Sequence, residues 1–333
     1  MIMIQVVLGG ITRLTGSGLS ITEWAPIMGS IPPLNDAQWE AAFENYQQIA
    51  QYKYVNNHFT LSDFKFIFYW EWFHRVWARS LGVVFAIPFI YFLIKKYFLK
   101  EMILPLIILF ILGGLQGFIG WFMVSSGLNE SSLLYVSHIR LAIHFISALV
   151  LLCYTLWFAL KLLIPKQEIV YEKKQKLFFV GLTFLLSIQL FYGAFMSGLH
   201  AALAAPTWPT MNGRWIPTKL LEYSWINHPI AVQFVHRALA YLLVILLLYG
   251  CYKLFKEAQS QGASLLKKTA IWPVILVCIQ LLLGVFTVIS SPHIVKGKFG
   301  IYETLAQAHQ FVAMCLLVSL FVILYLVRTK RPA

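Results

Sequence analysis

Eight apolar stretches run through this chain of 333 residues, each long enough, or nearly so, to cross the roughly 30 Å hydrocarbon core of a bilayer. They lie at about 1–15, 70–94, 103–124, 139–161, 177–198, 232–255, 270–290 and 305–327. With 59% hydrophobic and 12% charged residues and a mean hydropathy of +0.73, the chain would be insoluble as a globule. An outer-membrane barrel would show short alternating segments, and none appear. The predicted fold is all-α and polytopic, with eight transmembrane helices.

Lysines orient it. The loops after the second, fourth and sixth spans carry Lys95, Lys96 and Lys100, then Lys166, Lys173, Lys174 and Lys176, then Lys253, Lys256, Lys267 and Lys268, and the tail carries Arg328, Lys330 and Arg331. The positive-inside bias places these segments on the cytoplasmic (or matrix) side. The net charge of +13 is thus mostly a topology signal, and its dispersal over short loops gives no reason to invoke nucleic acid. The long loops 16–69 and 199–231, with 125–138 and 291–304, then lie outside.

The two halves repeat. Gly9, Trp24, Gly29 and Pro33 match Gly193, Trp208, Gly213 and Pro217 at one offset, and Gln116 and Gly120 match Gln280 and Gly284. His74 matches His236, and His144 matches His309. The expectation is two tandem pseudo-symmetric four-helix bundles, 1–165 and 166–333, related by an axis along the membrane normal. The first outer loop carries extra residues between Pro33 and Glu71. Asn35 or Asp36 can cap a short helix there through about Gln51, with an apolar stripe of Trp39, Phe43 and Tyr46. Such a helix could roof the first site or serve as an interfacial anchor.

Histidines inside membrane spans are costly without partners and mark function. His74, His144, His236 and His309 fall near the outer ends of four spans, as two pairs in equivalent places. Paired histidines inside a helical bundle can grip haem iron from both faces. Four residues on from each is an alanine (Ala78, Ala148, Ala240, Ala313), which leaves room on the same helix face for a flat ligand. Arg75, Arg79, Arg140 and Arg237 lie at the outer boundary, where haem propionates would need cations, although lipid phosphates could occupy them instead. Zinc or copper would call for three or four converging ligands. The symmetry is broken once: Glu71, one turn from His74, is replaced by Gln233 in the second half. A partly desolvated carboxylate there can take or deliver a proton, or it can form a salt bridge with Arg75.

Other polar residues carry less. Cys153, Cys251, Cys278 and Cys315 all fall inside spans with no metal-binding spacing and read as packing residues. His58, His200, His228 and His293 sit in outer loops, and His138, near the first site, begins the fourth span. Twelve residues precede Arg13, so the first span is short for a crossing; a missing N-terminal stretch or a downstream start is expected. No charged region or cleavage site precedes the apolar run, so it does not read as a signal peptide.

These residues resemble the haem A synthase family, in its alphaproteobacterial and mitochondrial branch, over essentially the whole chain. The carriers are Gly9-Gly10-Ile11-Thr12-Arg13-Leu14-Thr15-Gly16-Ser17-Gly18-Leu19-Ser20 leading to Glu23-Trp24, then Glu71-Trp72-Phe73-His74-Arg75, and the three later histidines. The resemblance implies oxidation of a methyl group of haem O to the formyl group of haem A, through successive hydroxylations, for cytochrome oxidase. It implies that the C-terminal bundle holds haem b through His236 and His309, and that the N-terminal bundle holds haem O through His74 and His144. Glu71 would then be the acid/base or water-positioning residue. Membrane lipid, a haem O synthase and an electron donor are the implied partners, and a homo-oligomer is compatible with the family. With no transit peptide apparent, the bacterial inner membrane is the expected location, with the haem sites toward its outer face.

Many bacterial members carry cysteine pairs in outer loops, and this chain has none, which excludes any mechanism that relies on them. Two other classes stay open on the residues alone: a bis-histidine di-haem cytochrome for quinol-linked electron transfer, and a haem exporter or chaperone. The first predicts two permanent haems and no need for Glu71. The second would favour exposed, exchangeable sites.

Overall fold

The computed structural model describes residues 1–23, 28–129, 134–294 and 298–329. Trp24, Lys330 and Arg331, singled out above, lie outside the described residues. Ten α-helices follow in chain order among those described: α1 (Ile2–Leu14), α2 (Asp36–Gln47), α3 (Leu61–Ile94), α4 (Lys100–Asn129), α5 (His138–Leu163), α6 (Lys173–Gly198), α7 (Pro229–Ser260), α8 (Ser264–Thr269), α9 (Trp272–Ser290) and α10 (Ile301–Leu326). The one sheet among the described residues is a parallel pairing of two-residue strands, β1 (Val170–Tyr171) with β2 (Val327–Arg328).

Seven segments are long and apolar enough to cross a membrane: α3, α4, α5, α6, α7, the run Ser264–His293 that contains α8 and α9, and α10. These are the last seven predicted spans. The first is α1, apolar but only 13 residues, or about 20 Å at 1.5 Å per residue.

Helix ends follow local chemistry. Asn35 caps α2, its side chain accepting from Gln38 N at 3.0 Å. Glu172 caps α6 through Lys174 N at 3.1 Å, and Pro229 opens α7, where a missing N–H costs nothing. The largest departure from expectation is the start of α3, which precedes the predicted residue 70 by nine residues. A capping box sets it: Asp63 Oδ2 accepts from Thr60 N at 2.9 Å and Asp63 N donates to Thr60 Oγ1 at 3.3 Å. Asp63 and Lys65 interrupt the apolar run there, so hydropathy alone begins the span too late.

The chain forms two compact units, Met1–Leu151 with Ile294–Glu303, and Leu152–His293 with Thr304–Ala333. In the first, α1 packs along α3, and α3 meets α4. The N-terminal turns of α3 carry Phe64, Ile67 and Phe68, which close with Trp39, Tyr46 and Phe59 into a small core. Trp39 stands edge-on to Phe68 with centroids 5.0 Å apart, and Phe43 stacks on Phe64 at 5.1 Å. The stripe of α2 therefore meets protein rather than lipid. Tyr46, fully buried, accepts from Asn56 at 2.8 Å and donates to Gln51 at 3.0 Å, and Gln51 in turn reaches the Gly16 carbonyl at 3.2 Å. That chain of bonds ties the outer loop to the end of α1.

In the second unit α6 and α7 form the main contact, with α9 against α7. Leu182, Leu186 and Leu190 of α6 and Leu243, Leu247 and Leu254 of α7 are buried, at the four- and seven-residue spacing of a helix face.

Candidate functional site

Each unit holds one histidine pair. In the second, the rings of His236 on α7 and His309 on α10 face one another with centroids 6.3 Å apart and planes at 69°. A metal–imidazole bond is about 2 Å, so two imidazoles on opposite sides of one ion hold their centroids about 6 Å apart. The centroid separation of the pair matches that spacing. In the first unit His74 on α3 and His144 on α5 lie within electrostatic reach of each other. Among the described residues no group of three or more His, Cys, Asp and Glu side chains converges, so two-histidine ligation is what the site can offer.

Glycine makes room for every ring. A Cβ on Gly9 would stand 3.1 Å from His74 Nε2, and one on Gly193 would be 3.4 Å from His236 Cε1. On Gly120 and Gly284 it would come to 2.9 Å and 3.0 Å from Cε1 of His144 and His309. At Gly120 the contact is shorter than a side chain tolerates, at Gly284 and Gly9 the ring would have to give by a few tenths of an ångström, and at Gly193 a methyl would stand in ordinary contact.

One turn before each glycine lies a glutamine: Gln5, Gln116, Gln189 and Gln280. Gln5, Gln116 and Gln189 donate through Nε2 to the backbone carbonyls of His74, His144 and His236 at 3.2, 3.0 and 3.0 Å. Gln280 Nε2 instead lies 3.2 Å from His309 Nε2. The sequence reading used some of these residues as repeat markers but missed this Gln-x-x-x-Gly element. Its signal was the recurrence of one i, i+4 spacing, which sets both residues on one helix face.

Glu71 is buried, with 3% of its surface exposed, and its carboxylate is saturated. Oε2 accepts from Ser20 Oγ at 2.8 Å and from Ile21 N at 2.9 Å. Oε1 accepts from Arg75 Nη2 at 2.6 Å and Nε at 3.1 Å. Arg75 also donates to the carbonyls of Ile21 at 3.0 Å and Glu23 at 3.3 Å. The second half repeats this with an amide: Gln233 Nε2 donates to the Ala205 carbonyl at 3.0 Å, and Arg237 Nη2 to those of Ala205 and Thr207 at 3.0 and 2.9 Å. The carbonyls gripped by the two arginines occupy equivalent repeat positions. Each pair therefore ties the segment beyond one helix to the helix that bears a histidine.

Of the remaining arginines, Arg140 lies over the Phe122 ring at 4.2 Å and donates to the Phe122 carbonyl at 3.2 Å. Arg79 lines a hollow with Ser30, Val76 and Ser80. His138 begins α5, His228 stacks on Tyr223 with centroids 3.7 Å apart, and His58 meets Phe59 edge-on. His200 precedes a short 3-10 turn in a left-handed conformation, and His293 lies in another. The four cysteines are free thiols on α5, α7, α9 and α10.

Comparison with known proteins bears on this arrangement. The model of a family described as cytochrome oxidase assembly protein (COX15-CtaA) matches residues 1–321. A haem A synthase of Flavobacterium johnsoniae is 42% identical over 312 residues, covering 89% of this chain and 88% of the relative. One of Bartonella henselae is 40% identical over 318 residues, covering 94% and 85%. One of Rhodospirillum centenum is 38% identical over 343 aligned positions, covering 100% and 88%.

Proposed function

The chain belongs to the cytochrome oxidase assembly protein (COX15-CtaA) family, and on that premise we propose that it makes haem A from haem O. It is an oxidoreductase that converts one ring methyl of haem O to a formyl group, by two hydroxylations and loss of water. Its setting is a multi-pass membrane protein, which the seven long apolar segments support.

We read the chain as two tandem four-helix bundles, 1–165 and 166–333, with α1 as the first of eight spans, in a bacterial inner membrane with both sites toward the outer side. The positive loops and the repeat support this reading. His74 and His144 hold the substrate iron. His236 and His309 hold a resident haem b, and the 6.3 Å separation of their rings supports that role. When bound, haem b supplies one-electron chemistry through its iron.

The observation that carries the division is the Glu71/Gln233 asymmetry. Both residues anchor an outer segment, yet only Glu71 can exchange a proton. A buried carboxylate one turn from His74 supports an acid/base or water-positioning role at the oxidised carbon. Arg75 and Arg237 hold the outer segments to the helices that bear His74 and His236, and with Arg79 and Arg140 they give the outer boundary the cations that propionates require. A haem O synthase would deliver the substrate, and a separate donor or acceptor would balance the electrons.

Mass analysis of haems extracted from detergent-purified protein tests this reading. Haem b with haem O, its alcohol or haem A is the expected result. Two haem b per chain would point instead to an electron-transfer cytochrome.

A further inference from the structure

Gln5, Gly9 and Arg13 follow one another at four-residue steps on α1, so they share one helix face. Gln5 reaches the His74 carbonyl and Gly9 lies against the His74 ring, which turns that face toward α3 and the first histidine pair. Arg13 is the next residue of the stripe, one turn nearer the C-terminal end of α1. At the offset that pairs Gly9 with Gly193, Gln5 pairs with Gln189 and Arg13 with Ser197. The stripe repeats in the second half except for its cation.

Two phenols, Tyr135 and Tyr302, lie within electrostatic reach of the Arg13 guanidinium. All three residues belong to the first compact unit. The tyrosines break the repeat as well. At the offset that pairs His144 with His309, Tyr135 pairs with Gly300 and Tyr302 with Ser137. A cation and two phenol hydroxyls thus gather in the first unit, and the second half holds none of them at the equivalent positions.

Arg13 is half-buried, yet among the described residues its guanidinium donates no hydrogen bond and joins no ion pair. A cation inside a membrane bundle is costly unless an anion meets it. Glu71 does not serve, because Arg75, Ser20 and Ile21 occupy both its oxygens. That ion pair also cancels the charge of Arg75, whereas Arg237, with Gln233 one turn before it, keeps its own. At the repeat position of Arg237 the first half therefore offers no net charge, and Arg13 brings one from the neighbouring helix. The anions that a haem carries are its propionates. We infer that Arg13, with the hydroxyls of Tyr135 and Tyr302, binds one propionate of the haem held by His74 and His144. A guanidinium matches a carboxylate in a two-pronged pairing, and phenol hydroxyls donate to it.

The asymmetry then has a chemical reason. Two axial histidines leave a haem free to turn about the axis through their rings. A resident haem carries electrons in any such rotation, but a substrate has to present one particular methyl, and a fixed carboxylate selects it. This inference rests on the assignment of His74 and His144 to the substrate. Arg13 is a binding and positioning residue in it.

The test uses purified full-length protein from cells that supply haem b but no haem O. Haem O and its dimethyl ester, in which both carboxylates are neutral, are titrated in and followed by the Soret band. Native protein is expected to bind the acid at least about tenfold tighter than the ester, the scale of hydrogen bonds to a charged group. Arg13→Gln is expected to lose about tenfold in affinity for the acid and none for the ester. Equal losses for both would mean a purely structural Arg13; that result, or an unchanged ratio of acid to ester affinity, overturns the inference. Tyr302→Phe is expected to narrow the ratio by about threefold. Should Arg13→Gln not fold, Tyr302→Phe decides alone, and a native ratio in it overturns the inference. Native protein that takes up no haem O overturns the site assignment and the inference with it, whereas equal native affinities for acid and ester overturn the inference alone.

Discussion

Arg75 grips Glu71 from one helical turn away, with both Nη2 and Nε on a single carboxylate oxygen at 2.6 and 3.1 Å. The other oxygen is left to Ser20 and Ile21. The site thus has a carboxylate that is ion-paired, buried and anchored to the outer segment at once. Its equivalent in the second half, Gln233, anchors a segment with no charge.

Glu71→Gln makes the first half resemble the second. Shape is kept, but one oxygen becomes an NH2 donor. Either Arg75 or the Ser20–Ile21 pair then loses its acceptor and the outer segment is held more weakly, while haem b content in the second half is expected to be normal. Haem A formation is expected to fall by about a hundredfold or more, the usual contribution of a placed acid or base. The haem composition of membranes expressing the variant measures this; near-native haem A would leave Glu71 with an anchoring role only.

Glycine substitutions give a graded series, because the four rings differ in clearance. Alanine at Gly120 or Gly284 places a methyl within 3.0 Å of a ring carbon, while at Gly193 it stands 3.4 Å away. Overpacking of this kind costs about 1–3 kcal/mol. Gly120→Ala is expected to lose the first-site haem and keep haem b, Gly284→Ala to do the reverse, and Gly193→Ala to lose least. Haem-to-protein ratios in purified variants rank the series.

Arg237 holds three loop carbonyls, those of Ala205, Thr207 and Thr210. Lysine cannot span them, since it is a single point charge where arginine is a planar fork. Arg237→Lys is expected to destabilise the second unit by about 2 kcal/mol, the scale of lost charge-assisted hydrogen bonds, and to expose residues 199–228 to protease. Thermal unfolding in detergent and the rate of limited proteolysis measure it.

Much of this was legible in the sequence, for reasons that particular residues show. The apolar spans emerged because lipid requires long continuous hydrophobic runs, and α2 because Asn35 and the Trp39, Phe43, Tyr46 spacing are local signals. The Glu71–Arg75 pair was legible because i, i+4 residues share a helix face. Ser20 and Ile21 were not, because nothing local links them to a residue some fifty positions away. The start of α3 was missed because its first turns are stabilised by α2, a partner that hydropathy cannot see. The glutamine cradles were missed because Gln5 and Gln189 look like isolated polar residues until the facing helix supplies the histidine carbonyl.

Trp39 offers a test of what the outer helix contributes. Its ring is 6% exposed and touches Phe64, Phe68 and Tyr69, so it closes the small core that fixes the first turns of α3. Removing a buried tryptophan costs about 3–5 kcal/mol. That loss is local, because the core lies within the first unit and at the α3 end that precedes Glu71. Trp39→Ala is expected to release α2, to make residues 36–60 the first cleavage site in limited proteolysis, and to weaken the hold of Ile67 and Glu71 on the Ser20 segment. Haem b bound in the second unit is expected to be retained, while the first-site haem is lost more readily. Loss of both haems together would mean that α2 supports the whole fold rather than the first site.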